Sequence, residues 1–201
     1  MSVMAKNVQS FKDAVMSSVT NADPQKLKDA VDSIASYCYK DPCSSDKFDE
    51  TIFSFILELF ANEKFLTMEG AYSLLLIFEY DWASLALNQK QRLRTAIERT
   101  YCRFTDWMSC FVLTELLGEY YSDEAAFEIL FKLKNSPVTG AHRTLLPMGF
   151  GQLARNTKDA ALKGKSISEL TKLAHDSSDE VQKEAREALD KIAAVVSESR
   201  N

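Results

Sequence analysis

Apolar residues at steps of three and four near the C-terminal end constrain the fold of this chain more than any other feature. They are Val181, Ala185, Ala188, Leu189, Ile192 and Val196. Glu, Lys, Arg and Asp fill most of the positions between them. The spacing places the apolar side chains on one face of an α-helix, so this stretch predicts an amphipathic helix whose apolar face needs a partner.

Two serine and glutamate pairs mark where helices are expected to begin. Ser177 precedes Glu180 by three residues, and Ser166 precedes Glu169 by the same distance. This is the spacing of a capping box, in which the two side chains bond backbone N–H groups at a helix start. The stretch SISELTKLA therefore predicts one helix and the stretch after Ser177 another, joined by a tight polar turn as an αα-hairpin.

The same hairpin pattern recurs upstream. A shift of 39 residues superimposes a second set of small and apolar residues on the last helix. Leu146, Gly149, Phe150, Leu153 and Ala154 fall on Ala185, Ala188, Leu189, Ile192 and Ala193. A shift of 40 residues places Leu130, Lys132 and Leu133 on Leu170, Lys172 and Leu173. Two helices per period of about 40 residues are typical of stacked helical-hairpin arrays.

On these residues the chain resembles the HEAT and armadillo-like repeat families. The stretch SSDEVQKEAREALDKIA is most similar to the second helix of a HEAT unit, and the resemblance covers residues 122–197. It implies an all-α fold, a short right-handed solenoid of about five helical hairpins. Residues 1–201 would then form a single HEAT-like domain, in which residues 1–40 supply the N-terminal capping helices.

The rest of the chain fits an all-helical prediction, because six Gly and four Pro leave few places for β-hairpins. Further helices are predicted near 46–61, 67–80, 89–103, 107–120 and 142–155, and the stretch CYKDPCSS closes the first pair. Asp23 and Pro24 are expected as the N-cap and first residue of a helix. Pro147 should bend its helix, while Gly149 and Gly151 should allow a neighbouring helix to approach closely.

Cysteine spacing and the apolar runs indicate the cellular compartment. Cys38, Cys43, Cys102 and Cys110 form no Cys-x-x-Cys pair, so neither a metal site nor another cofactor is expected. Cys102 and Cys110 are expected to be buried small apolar groups in a reducing environment. No secretory signal is visible, and the runs IFSFILELF and AYSLLLIFEY are too short to cross a bilayer. A cytoplasmic protein is expected.

Charge alternates in blocks along the chain, whose net charge is −5. Residues 41–81, the first acidic segment, contain nine acids and two bases, and residues 106–131, the second acidic segment, contain six acids and no base. Residues 82–105, the first basic segment, contain five bases and one acid, and residues 129–175, the second basic segment, contain eight bases and two acids. In a solenoid these blocks become surface bands, and the acidic bands would attract a basic partner.

Aromatic residues stand beside acids in or next to the acidic segments, and we predict that they bind a partner. The candidates are Asp81, Trp82, Asp106, Trp107, Glu115, Glu119, Tyr120 and Tyr121. Trp and Tyr beside carboxylates are residue types that anchor protein interfaces. The predicted partner is therefore a protein with a basic surface, and neither nucleic acid nor a membrane is expected.

The function that follows is a protein-binding module without catalytic activity of its own. Its concrete form is an immunity or inhibitor protein that neutralises a basic toxin such as a nuclease. An adaptor or assembly scaffold is the broader alternative, and a helical domain with a small-ligand groove is another. An inhibitor that depends on charge steering should associate more slowly as salt is added.

Catalytic motifs are missing from the sequence, so an enzyme is not expected. The only imidazoles belong to His142, which should be partly buried, and His175, which should satisfy a helix end. No G-x-S-x-G elbow, Gly-rich phosphate loop or H-E-x-x-H pair is present.

One enzymatic alternative comes from the family resemblance. The HEAT-like DNA glycosylases bind duplex DNA along a basic concave surface and place Trp and Asp near the damaged nucleotide. The pairs Asp81–Trp82 and Asp106–Trp107 are similar to that arrangement. They lie in or beside the acidic segments, however, and binding to phosphates requires clustered Lys and Arg.

Overall fold

Every regular element of the described residues is helical, which confirms the all-α prediction. The structure, a computed structural model, describes residues 3–38, 48–135 and 141–198. These ranges contain eleven α-helices, two short 3-10 helices and one π-helix. None of the described helices has both the length and the apolar character needed to cross a membrane.

The chain divides into two compact units, Met1–Val112 and Leu113–Asn201. The helices that begin in the N-terminal unit are α1 Val3–Asn21, α2 Pro24–Cys38, α3 Glu50–Leu59, α4 Glu63–Thr67, α5 Tyr72–Tyr80, α6 Leu87–Thr100 and α7 Trp107–Glu115. The 3-10 helices Trp82–Ser84 and Tyr101–Arg103 precede and follow α6. Within this unit α1 packs against α2, α3 and α4, and α3 packs against α6.

Aromatic rings form much of the core of the N-terminal unit. Phe53 of α3 and Phe78 of α5 are fully buried, and their ring centroids are 5.7 Å apart in an edge-to-face arrangement. Phe60 and Phe104 make a similar contact at 5.6 Å. Such pairs contribute about 1 kcal/mol beyond the burial of their area, so they help to fix how these helices pack.

The C-terminal unit contains a π-helix followed by four α-helices. The π-helix Leu116–Tyr121 continues α7, and α8 Glu124–Asn135, α9 Ala141–Asn156, α10 Ala160–Leu173 and α11 Asp179–Glu198 follow it. Helix α9 is central, since it contacts the π-helix, α8, α10 and α11.

Burial in this unit follows the 40-residue pattern of the sequence. Leu130 and Leu133 are buried, as are their counterparts Leu170 and Leu173, and Lys132 is exposed like its counterpart Lys172. On the second helix of each pair, Leu146, Phe150, Leu153, Ala154, Ala185 and Ile192 are buried. The environments of equivalent positions thus agree on the first helix, but on the second helix Ala188 and Leu189 are only half-buried and Ala193 is exposed, unlike their buried counterparts Gly149, Phe150 and Ala154.

Aspartate side chains cap the starts of two helices in the N-terminal unit. Asp23 accepts a hydrogen bond from the Lys26 N–H at 3.0 Å, which confirms it as the cap before Pro24. Asp49 does the same for α3, accepting from the Thr51 N–H at 2.8 Å. Side-chain caps of this kind satisfy backbone donors that have no partner inside the helix.

The predicted start of α10 at Ser166 was wrong. Asp159 caps this helix, accepting from the Ala161 N–H at 2.8 Å, so the cap lies seven residues before Ser166 and α10 begins at Ala160. Ser166 is buried inside the helix, and its hydroxyl donates to the Leu162 carbonyl at 2.9 Å. Serine can bond the carbonyl four residues back within a helix, so Ser-x-x-Glu spacing alone does not identify a cap.

Helix α11 begins at Asp179, one residue later than a cap at Ser177 would place it. The Asp176 carboxylate organises the turn, accepting from the Ser178 N–H at 3.0 Å and from the Ser177 hydroxyl at 3.4 Å. A carboxylate accepts such bonds more strongly than a hydroxyl does. The tight polar turn was predicted, whereas the residue that holds it was not.

Other helix boundaries also differ from the sequence prediction. The helix predicted near 67–80 begins only at Tyr72, because Gly70 adopts a left-handed conformation with φ of 86°. The helix predicted near 46–61 ends at Leu59, and a separate short helix, Glu63–Thr67, follows it. Most of the predicted closing turn CYKDPCSS lies outside the described residues.

The predicted close approach at the α9 glycines is confirmed. A Cβ atom on Gly149 would lie 2.8 Å from the Thr114 Cγ2 atom, and one on Gly151 would lie 3.1 Å from the Ala188 Cβ atom. Gly118 of the π-helix belongs to the same contact, because its Cβ would lie 2.7 Å from the Gly149 carbonyl oxygen. Pro147 lies inside α9, as predicted, and the bend expected there stays a prediction.

The cysteine predictions were partly right. Cys110 is fully buried, as expected, whereas Cys102 is exposed. Cys102 lies in the 3-10 turn Tyr101–Arg103, where Tyr101 takes the inward position and donates its hydroxyl to the Cys110 carbonyl at 3.2 Å. The side chain of Cys38 and the whole of Cys43 lie outside the described residues.

The glycine contact leads to a paired prediction. Gly118→Ala should destabilise the protein by about 1–3 kcal/mol, since the added methyl group meets a backbone oxygen that cannot move aside. Gly164→Ala should stabilise it by about 0.5–1 kcal/mol, because nothing lies within 4 Å of a Cβ there and alanine favours the helix. Urea unfolding of both variants measures the difference. Equal effects of the two substitutions would contradict the close contact.

Candidate functional site

The predicted site residues fall into two groups, one in each compact unit. Asp81, Trp82, Asp106 and Trp107 lie in the N-terminal unit, at the end of α5 and at the start of α7. Glu115, Glu119, Tyr120 and Tyr121 lie in the C-terminal unit. Neither unit therefore contains all eight residues.

Trp107 and Met108 form an exposed apolar pair at the start of α7. Trp107 is 47% exposed and Met108 is 38% exposed, which is unusual for side chains of this size. The Trp107 ring lies 5.5 Å from the Phe111 ring, one helical turn away. This contact supports the indole from one side and leaves much of it open to solvent.

Asp106 has a structural role at the same helix end. Its carboxylate accepts from the Ser109 N–H at 2.9 Å and from the Ser109 hydroxyl at 2.7 Å. Both bonds stabilise the first turn of α7, where a negative charge also interacts favourably with the helix dipole. Asp106 thus positions Trp107 as the first residue of the helix.

Asp81 is the most unusual acidic residue of the first acidic segment. It follows Tyr80 at the end of α5 and is buried, with 7% of its surface exposed. Its Oδ2 atom is buried and has no hydrogen-bond partner among the described residues. Burial raises the pKa of Asp81 from 3.8 to about 6, because the charged form is poorly solvated there.

Trp82 is engaged by a lysine of its own chain. The Lys90 ammonium lies 4.6 Å from the centroid of the indole ring, a distance that allows a cation–π interaction. Burial lowers the pKa of Lys90 from its usual value. The face of Trp82 that contacts Lys90 is therefore already covered. Tyr80, two residues before it, is 64% exposed.

In the C-terminal unit the candidate residues lie on the π-helix and the turn before it. Glu115 is the last residue of α7, and Glu119, Tyr120 and Tyr121 belong to the π-helix Leu116–Tyr121. Helices of this type are rare and occur often at functional sites. The sequence did not predict this π-helix. Its hydrogen bonds join residues five apart instead of four apart, and no residue pattern in the sequence marks that difference.

Two polar side chains stabilise the end of the π-helix. Ser122 adopts a left-handed conformation with φ of 47°, and its hydroxyl donates to the carbonyls of Gly118 at 2.9 Å and Glu119 at 2.8 Å. Gln152 of α9 donates its amide to the Glu119 carboxylate at 3.4 Å. Glu119 is exposed, and this hydrogen bond also joins it to the neighbouring helix α9.

The charged segments pair with one another inside each unit. Among the described residues, exposed ion pairs join an acidic segment to a basic one: Glu50 with Arg92, Glu63 with Arg103, and Glu124 with Lys165. The hydrogen bond from Arg92 is the main reason that the pKa of Glu50 is lowered. These pairs neutralise part of the negative charge of the two acidic segments. The surface there is therefore less negative than the composition alone implies.

Buried acids of the C-terminal unit have cationic partners, in contrast to Asp81. Glu169 is paired with Lys134 and Lys172. Burial by itself would raise the pKa of Glu169, but the two lysines together hold it below its usual value. Asp176 is likewise paired with Arg143, and its pKa is lowered as well despite burial.

The two histidines differ in their environments. His142 is buried, with 9% exposed, which exceeds the partial burial predicted for it. His175 is exposed, and its backbone N–H donates to the Lys172 carbonyl at 3.1 Å near the end of α10. Within residues 3–38, 48–135 and 141–198, no three His, Cys, Asp or Glu side chains lie close enough to hold a metal ion.

The buried Asp81 carboxyl predicts a pH dependence of stability. Its pKa is raised in the folded state, so its contribution to stability is fully present below the unfolded pKa and is lost as pH rises through about 6. Asp81→Asn should therefore raise the free energy of unfolding at about pH 8 by roughly 1–3 kcal/mol. The gain should shrink at about pH 4.

Urea unfolding of the wild type and Asp81→Asn at both pH values measures this effect. Glu169→Gln is the matched control, because Glu169 is a buried acid with cationic partners, and its removal should destabilise the protein at neutral pH. A loss of stability in Asp81→Asn at high pH would show that the carboxylate has a favourable partner.

Comparison with known proteins gives no relative from which a function could be transferred. No protein family, no curated protein and no solved structure matches the chain. Its function is therefore inferred from its own residues, above all the exposed Trp107 and Met108 pair and the buried Asp81.

Proposed function

We propose that the chain is a short HEAT-like repeat module, a right-handed solenoid of about five helical hairpins. The order of the helices supports this architecture, because they can be paired as α1–α2, α3 and α4 with α5, α6–α7, α8–α9 and α10–α11. Within the N-terminal unit, α1 contacts α3 and α2 contacts α5. Within the C-terminal unit, α8 contacts α10 and α9 contacts α11.

The sequence separation of the interacting polar residues also supports a repeat. Glu50 and Arg92 are 42 residues apart, Glu63 and Arg103 are 40 apart, and Glu124 and Lys165 are 41 apart. The Thr105 N–H donates to the Leu66 carbonyl at 3.1 Å across a similar interval. Stacked repeats produce contacts of this kind, because each unit touches the unit one period away.

The proposed activity is binding of a protein that carries a basic surface, without catalysis by this chain. The observation that carries this proposal is the exposed Trp107 and Met108 pair, which lies in an acidic segment that contains no base. A large aromatic side chain that is held in place but open to solvent is typical of an interface anchor. Carboxylates around it would steer a basic partner and favour its approach.

In its concrete form, this protein is an immunity or inhibitor protein that covers a basic toxin such as a nuclease. An adaptor or assembly scaffold would use the same surface for a different partner. No feature of the described residues favours the DNA glycosylase-type alternative. Trp82 contacts Lys90, Asp106 caps its own helix, and several basic side chains form ion pairs with acids of the same unit.

An affinity capture with two variants tests the proposal. The wild type should capture a basic protein from extract of its own cells at low salt and release it at about 0.5 M salt, where charge interactions are screened. Trp107→Ala should weaken that complex by about tenfold or more, the loss expected for an interface anchor. Mass spectrometry identifies the protein, and titration with the purified partner measures the affinity.

Leu87→Ala is the matched control for Trp107→Ala. Leu87 is 73% exposed and is also a large apolar residue near a helix start, but it lies in the first basic segment. The control should bind as the wild type does. Undiminished binding by Trp107→Ala, or equal weakening by both variants, would show that the partner does not use this surface.

A further inference from the structure

Cations of this chain cover aromatic rings beside acids in both units. In each unit a basic residue about one repeat further along the chain lies over a ring and pairs with the acid three residues before that ring. The two sets are Glu50, Phe53 and Arg92 in the N-terminal unit, and Glu124, Phe127 and Lys165 in the C-terminal unit. The cationic groups lie 5.0 Å and 5.8 Å from the ring centroids. A cation is favoured there because the face of an aromatic ring carries negative potential.

Trp107 lacks a cation of this kind. The other tryptophan of the chain, Trp82, has the Lys90 ammonium 4.6 Å from its ring centroid. No described residue places a cation over Trp107, although 47% of this side chain is exposed. Phe111 supports the indole from one side, with ring centroids 5.5 Å apart. The exposed surface of Trp107 is therefore accessible to a cation of another molecule.

The equivalent helix start in the C-terminal unit shows that the fold does not require an aromatic residue here. Helices α6 and α10 both contain 14 residues, and buried, half-buried and exposed positions follow in the same order along them at all but one place. The helix after α6 begins with Trp107 and Met108, whereas the helix after α10 begins with Asp179 and Glu180. All four side chains are exposed. Acids at a helix start interact favourably with the helix dipole, so the apolar pair of α7 departs from what helix stability favours.

The charge around Trp107 in the sequence favours a cation as the group that covers it. Residues 106–131, which include Trp107, contain six acids and no base, so this segment attracts positive charge. Tryptophan is the aromatic residue that binds cations best, and arginine is the side chain that does so most often. A guanidinium group is flat and weakly hydrated, so it stacks on an indole at a small cost in lost hydration.

We propose that the open surface of the Trp107 ring receives an arginine side chain of the partner protein. This proposal rests on the proposed function, and it names the side chain by which a basic partner is recognised at the apolar pair. The partner's guanidinium would take the place on Trp107 that Lys90 takes on Trp82 and that Arg92 takes on Phe53.

An arginine nonapeptide and a lysine nonapeptide are the probes, each titrated by calorimetry into the full chain at about pH 7.5 and low salt. The two peptides carry the same charge, but only the guanidinium group stacks flat on an indole. The wild type should bind the arginine peptide about twofold or more tightly than the lysine peptide. Trp107→Leu keeps an apolar side chain without the ring, so it should lose most of this preference. Leu87→Ala, which removes an exposed apolar residue of the first basic segment, is the matched control and should keep the preference.

Fluorinated tryptophan, incorporated during expression, provides a second measurement that leaves the shape of the ring nearly unchanged. Fluorine withdraws electron density from the indole and weakens its attraction for a cation. The affinity of the fluorinated wild type for the arginine peptide should therefore fall by about twofold or more. In Trp107→Leu the same replacement alters Trp82 alone, because the chain has 2 tryptophans, and the affinity should stay the same.

An arginine preference that survives Trp107→Leu would overturn the proposal, and so would an affinity that fluorination of the wild type leaves unchanged. Absence of binding to the arginine peptide would overturn it as well. Urea unfolding of each variant shows whether it is folded during the titration. If one of these results occurs while Trp107→Ala still loses the captured partner, the arginine contact is refuted and the proposed function stands. Undiminished capture by Trp107→Ala would refute both.

Discussion

The C-terminal unit depends on the close approach of two backbones, at Gly118 and Gly149. A Cβ atom on Gly118 would meet the Gly149 carbonyl oxygen at 2.7 Å, so the π-helix can lie against α9 only because side chains are missing there. Helix α9 in turn contacts α8, α10 and α11. The apolar faces of these helices are buried around it, and the Glu119 and Gln152 contact lies at the same junction.

Charged side chains of this protein pair with one another within each unit. Acids and bases that lie about one repeat period apart in sequence form pairs, as in Glu50 with Arg92 and Glu124 with Lys165. Exposed pairs of this kind contribute little to stability, but they reduce the net field that each segment presents. Two groups remain distinctive after this pairing, namely the exposed Trp107 and the buried Asp81.

These two residues differ in their exposure and in what surrounds them. Trp107 offers apolar area that a partner can cover, and Asp106 holds it by capping the helix that starts with it. Asp81 has a buried carboxylate oxygen without a hydrogen-bond partner among the described residues. Exposed apolar area can anchor a protein interface, whereas an unpaired buried acid lowers the stability of the fold.

The sequence by itself determined the all-helical class, most of the apolar face positions and the close approach that Gly149 and Gly151 allow, because these follow from local spacing and side-chain size. It also identified Trp107 and Asp81 as candidates. It could not separate the capping role of Asp106 from the burial of Asp81, since both appear as Asp followed by Trp. Nor did the sequence predict that Ser166 lies inside a helix or that residues 116–121 form a π-helix. Only the tertiary structure decided those outcomes, because the partner that a polar side chain finds depends on which helices pack beside it.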